Sequence, residues 1–196
     1  MFRLLMFSLM VLPAFALSQK TVNLYIVEGE VNESNGFVPY FTFSTTGSFD
    51  SSNAVLRFDL GEVVTFNVKN ETDFTCAFSI TDHGQLEGIP MGETQSITVT
   101  FSQEGTFLYE DPFNDHRALG LGGMVVVSDF SGPEFYGVFT EHDEEWINAI
   151  ADGGVYDKRT YSPDVFTING KGFPRTMFDT LAMIMGHVGD TIRIHI

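Results

Sequence analysis

The sequence predicts an all-β fold, a Greek-key β-sandwich followed by the first strands of a second unit of the same kind. Three observations predict it. Short segments alternating apolar with less apolar residues recur along the chain, separated by turns rich in Gly, Asn, Asp and Ser. Only one stretch has helical spacing. A unit made of a Gly-acid turn and a strand occurs twice, at Leu60-Gly61-Glu62-Val63 to Val68 and again at Val188-Gly189-Asp190-Thr191 to Ile196. Many short strands punctuated by turns close into a sandwich or barrel rather than into helix-covered layers.

Taken in order, the chain opens with Arg3 and an uncharged apolar run from Leu4 to Leu12, broken by Pro13. Small residues stand at the spacing a signal peptidase reads, in Ala14-Phe15-Ala16 and Ala16-Leu17-Ser18. Residues 1–18 are therefore expected to be a signal peptide. The run is too short to cross the bilayer's roughly 30 Å as a helix, so no membrane span is expected once it is removed, and the location is secreted or periplasmic. Strands are expected at Val22–Val27, Phe37–Phe43, Val63–Val68, Phe74–Ile80, Ser96–Phe101, Thr106–Tyr109 and Gly123–Val127. Pro39 marks the second as an edge strand, because proline cannot donate to a ladder. Together they form a first domain, 19–130. Asp143 to Ala151 reads as a helix: acidic residues open it, Trp146, Ile147 and Ile150 lie on one face, and Gly153-Gly154 closes it. It is expected to lie in a connector, 131–163. Residues 164–196 read as the start of a second domain, with Phe166-Thr167-Ile168 echoing Phe41-Thr42-Phe43, and the chain as a fragment that stops inside it.

Composition narrows the function. The net charge is −16, with 26 acidic and 10 basic residues. The basic residues are scattered, which excludes a nucleic-acid partner, since phosphate contacts need clustered Lys and Arg. Cys76 is the single cysteine, so no intramolecular disulfide can form. Its apolar neighbours, Phe74 to Phe78, read it as a buried structural thiol. Twenty phenylalanines supply the core. His142 reads as part of a solvated helix start, His195 as outward on the last strand, and Trp146 as a core anchor of the connector. Asn32-Glu33-Ser34 and Asn70-Glu71-Thr72 fit the N-glycosylation sequon. No nucleophile elbow, phosphate-binding loop or His-Glu-x-x-His helix occurs.

Four blocks carry a family resemblance. Gly61-Glu62-Val63-Val64-Thr65-Phe66-Asn67-Val68-Lys69-Asn70, Gly105-Thr106-Phe107-Leu108-Tyr109, Gly120-Leu121-Gly122-Gly123-Met124-Val125-Val126-Val127 and Phe166-Thr167-Ile168-Asn169-Gly170-Lys171-Gly172-Phe173-Pro174 resemble, in order, blocks of the multicopper oxidases and copper nitrite reductases. The resemblance implies cupredoxin-like domains and a copper cofactor in the full-length protein. It places the type 1 thiolate at Asp111, the later imidazole at His116, the axial thioether at Leu121 and the early imidazole near Phe78, with Cys76 on the wrong strand to stand in for the thiolate. Type 1 copper needs two imidazoles, a thiolate and a weak axial thioether, so one ligand of four is matched. Of the His-x-His pairs of the trinuclear cluster, the first maps to Thr81-Asp82-His83 and the second to Glu110-Asp111-Pro112, so His83 alone is matched.

The resemblance thus implies a secreted multicopper oxidase-like copper oxidoreductase, with this chain inactive by itself, a small reductant or metal ion as substrate, and homo-oligomers as an option. The alternative is a copper-free cupredoxin-like module for binding or structure at a cell surface or in the periplasm. A third reading is a non-blue metal site of His83, Glu110 and His116, expected to converge at one end of the sandwich.

Overall fold

A computed structural model describes residues 19–33 and 36–196. The expected signal peptide, 1–18, lies outside them. Two sheets face each other. One has the order β2-β1-β4-β7, built from β1 (Gln19–Glu33), β2 (Gly36–Ser44), β4 (Val63–Asn70) and β7 (Thr94–Thr100). The other has the order β3-β9-β8-β5-β6, from β3 (Leu56–Phe58), β5 (Cys76–Ile80), β6 (Gly84–Ile89), β8 (Gly105–Glu110) and β9 (Gly122–Val127). β1 runs parallel to β4, and β3 parallel to β9. These crossings between non-adjacent strands make the sandwich a Greek key. β2 is an edge strand, as Pro39 requires.

The alternation read from the sequence is the burial pattern observed. Along β4, Val64, Phe66, Val68 and Asn70 point inward and their neighbours are half-exposed. Phe66 and Phe78 are fully buried and their rings meet at 5.7 Å. Phe58 stacks on Phe101 at 4.9 Å, and Phe43 packs edge-on to Tyr109 at 5.3 Å. Aromatic pairs at such spacings add to what burial alone contributes. β3 and β6 were not expected. β3 has only three residues, too short to show alternation, and β6 carries exposed Gly84, Gln85 and Glu87 with a single buried residue, Ile89.

Residues 134–196 carry four short strands and a helix. β10 (Glu134–Tyr136) pairs parallel with β13 (Arg193–His195), as β1 does with β4. β11 (Phe139–His142) pairs antiparallel with β12 (Val165–Ile168), as β1 does with β2. Residues 134–142, expected in the connector, form the strands β10 and β11. The helix α1 (Glu144–Ala151) sits between β11 and β12, with Asp143 as its N-cap accepting from the Trp146 amide at 3.0 Å. Ile147, rather than Trp146, anchors it: Ile147 is 1% exposed and belongs to the main core, while Trp146 is half-buried and stacks on Tyr156.

Two histidines differ from expectation for the same reason, that each packs against residues of the first sandwich. His142 is buried, bonded at Nδ1 to the Ala118 carbonyl (2.9 Å) and at Nε2 to Thr140 (3.0 Å). Burial lowers its pKa, partly offset by that carbonyl and by Glu141. His195 is buried too, at 2.7 Å from Thr106 Oγ1 and stacked on Tyr136. The sequon at Asn70 is also structural: its amide is buried and donates to the Phe74 and Ile89 carbonyls. Among the described residues, no helix is long and apolar enough to cross a membrane.

Candidate metal centre

The site begins with a turn. Asn70 ends β4 pointing inward, and its side-chain oxygen accepts from the Thr72 amide (2.9 Å) and hydroxyl (2.7 Å). With its amide on the Phe74 carbonyl, this closes residues 70–74 into a rigid turn and delivers Cys76 to the first position of β5. The Cys76 Sγ lies 3.4 Å from Thr72 Oγ1 and is fully buried.

β8 supplies the second group. Its last residue, Glu110, pairs with Ser79, and Asp111 follows immediately. The Asp111 amide donates to the Leu121 carbonyl, and its Oδ1 accepts from the Phe113 amide at 2.8 Å, which leaves Oδ2 free to point elsewhere. Oδ2 meets His116 Nδ1 at 2.8 Å. His116 returns to the interior because the chain turns back on itself at Asn114 and Asp115, both with left-handed backbone (φ 47° and 61°). Asn and Asp tolerate that region better than other side chains. The His116 ring is 5% exposed and lies 4.5 Å from the Phe74 ring.

The donor atoms of Cys76, Asp111 and His116 all lie within 4.8 Å of one another, and all three residues are buried. Among the described residues, no other set of three or more His, Cys, Asp or Glu side chains comes so close together. On its outer side His116 lines a cleft of about 620 Å³, bounded by Phe74, Trp146, Ile150, Tyr156 and Lys158.

The structure does not bring His83, Glu110 and His116 to one point. Cys76 and Ile80 are the two ends of β5, four rises or roughly 13 Å apart. His116 is at the Cys76 end, while His83 sits in the turn beyond Ile80, with its ring 4.5 Å from Phe107 and its Nδ1 on the Thr81 carbonyl. Glu110 faces outward and pairs with Arg117 at 3.2 Å. What the sequence reading missed was Cys76. It is on a different strand from the expected thiolate, yet it reaches the same point from the neighbouring strand of the same sheet. A register shift in the β5–β6 pairing between Cys76 and Phe78 obscures the count along this strand.

A cysteine, a histidine and an aspartate in contact also suggest a nucleophile with its base. The environment argues against it. Burial pushes the Cys76 thiol up to about 12, aided by Asp111 and Asp73 and opposed only by Thr72. A nucleophilic thiol needs the opposite shift and an exposed sulfur.

Nor does the donor set fit blue copper. It offers one imidazole, one thiol and one carboxylate, and Leu121, at the expected axial position, is a fully buried hydrocarbon. The plane of two imidazoles and a thiolate that defines such a site cannot be assembled from it.

No family model and no curated protein sequence matches the chain. Solved structures do. A copper nitrite reductase from Nitrosomonas europaea aligns with a TM-score of 0.68 and 20% identity over 90% of this chain and 66% of that one. A blue copper oxidase from Nitrosomonas europaea aligns at 0.66 and 19%, over 80% of this chain and 55% of that one. Fet3p, a multicopper oxidase that functions in iron import, aligns at 0.63 and 16%, over 78% and 33%. The chain spans about half the length of the structures it matches. It has the cupredoxin-like all-β fold of multicopper oxidases and copper nitrite reductases.

Proposed function

We propose that this chain belongs to an exported, multicopper oxidase-like oxidoreductase, in which its cupredoxin-like sandwich is a scaffold and not the electron-transfer centre. Its fold is that of copper oxidoreductases, and the leader-like pattern of residues 1–18 favours export. One observation carries the scaffold role. Asp111 and Leu121 stand where the family resemblance puts a thiolate and a thioether, and both are fully buried. With Phe78 at the early imidazole position as well, a type 1 centre lacks three of its four donors. Among the trinuclear positions, Thr81 and Glu110 bear no imidazole and His83 is held against Phe101 and Phe107. In this reading copper and a small reductant or metal-ion substrate bind elsewhere in the full-length protein, and this domain supplies a stable wall for its neighbours.

The test is to load the purified chain with copper and record its visible spectrum and dioxygen consumption. The expected result is no intense band at about 600 nm and no turnover of a phenolic or ferrous reductant. An intense thiolate-to-copper band would overturn the reading.

A further inference from the structure

We propose that Cys76, Asp111 and His116 form a binding site for one zinc ion. The inference goes beyond the scaffold reading and does not depend on it, since it rests on the geometry of three side chains alone.

Three donors from three different segments converge: one from the start of β5, one from the end of β8, one from the loop that follows. Zinc takes sulfur at about 2.3 Å and nitrogen or oxygen at about 2.0–2.2 Å in a tetrahedron, which sets donor–donor separations near 3.3–3.8 Å. Asp111 Oδ2 and His116 Nδ1 stand 2.8 Å apart, and all three donor atoms lie within 4.8 Å of one another.

Charge and softness select the ion. A thiolate and a carboxylate carry two negative charges, which cancel a divalent cation and leave the buried site neutral. A buried, unpaired charge would be costly. Magnesium and calcium prefer oxygen donors throughout, and cuprous ion prefers thiolate or thioether over carboxylate, whereas zinc accepts sulfur, nitrogen and oxygen together. Binding would displace the proton of the Cys76 thiol, and a proton on His116 Nδ1 would move to Nε2 to free that nitrogen for the metal.

The surroundings suit a metal site. The Phe113 amide orients the carboxylate through its other oxygen, and Thr72 Oγ1 lies against the sulfur; such outer contacts hold ligands in position. His116 also lines the cleft of about 620 Å³ on its outer side. In an oxidising compartment, zinc would also shield the lone thiol.

Metal-free chain, prepared with chelator, should take up one equivalent of zinc and unfold at higher temperature with it. Substituting cobalt(II) should produce the near-ultraviolet thiolate-to-cobalt band and strong visible bands of four-coordinate cobalt. Cys76→Ser should abolish the thiolate band, and His116→Ala should weaken zinc binding at least about tenfold. His83→Ala, at the other end of β5, should change neither. Cobalt bound without a thiolate band, or equal zinc content in wild type and both site variants, would overturn the proposal and leave a metal-free hydrogen-bonded cluster. If a site variant does not fold, the wild-type cobalt spectrum alone decides. A failure here leaves the prediction of no blue copper standing. A blue band with copper would instead overturn the scaffold reading.

Discussion

The two copies of the strand repeat in this chain share one turn and diverge after it. In the first, the Glu62 amide bonds to the Asp59 carbonyl (3.2 Å) and the Glu62 carboxylate accepts from the Asp59 amide (3.0 Å). In the second, the Asp190 amide bonds to the His187 carbonyl (3.0 Å) and the Asp190 carboxylate accepts from the His187 amide (2.6 Å). Gly61 and Gly189 occupy the same left-handed position, at φ 87° and 100°. From there the first copy runs into an eight-residue strand paired on both sides and buried at every second residue. The second runs into the three residues of β13, paired with β10 alone, and Ile194 remains 46% exposed. The same local code therefore makes the same local turn in both copies.

The largest effect that would sharpen this contrast is in the strand cores. Phe66→Ala should cost about 3–5 kcal/mol of stability in denaturant unfolding, whereas Ile194→Ala should cost under about 1 kcal/mol. Equal losses would mean that β13 is as fully packed as β4. Next come the turn glycines. Alanine at either meets nothing within 4 Å, so backbone strain alone should act, at about 1–2 kcal/mol. For Gly61→Ala that loss should appear in global unfolding. For Gly189→Ala it should appear mainly as faster hydrogen exchange of the Arg193–His195 amides, because the second copy opens locally. A global loss from Gly189→Ala equal to that from Gly61→Ala would break the distinction.

The smallest effect concerns His142, which packs against residues of the first sandwich. Its folded pKa lies below the ordinary histidine value because burial disfavours the charged ring. Its contribution to stability is therefore complete above about pH 6.5 and is lost as pH falls below that towards the folded pKa. Melting temperature should drop more steeply between about pH 7 and 5 in wild type than in His142→Gln. Parallel slopes would show that the ring does not titrate against folding.

Much of the fold was legible because it depends on short-range pattern. Alternation along Val63–Val68 specifies which face of β4 is buried, and Asp143 with the following acids specifies where α1 starts. β3 escaped because three residues carry no period, and the 134–142 strands because the segment holding the helix looked like a linker. The candidate site was legible only in part. His116 was in view, and Cys76 was correctly read as buried, but the contact between them was not, since they are separated in sequence and meet only through the pairing of β5 with β8. His83 was drawn in by its spacing in the family motif, and strand length then carried it to the far end.

What the sequence by itself determined is the list of strands, the repeated Gly-acid turn and the absence of a second imidazole, thiolate and thioether in their expected places, all of which follow from residue identity and local periodicity. Only the tertiary structure decided that Cys76, Asp111 and His116 share one buried point, that residues 134–142 form strands, and that His142 and His195 are enclosed. Those outcomes depend on which strands pair and in what register, and pairing joins residues far apart in the chain, whose separation no local pattern encodes.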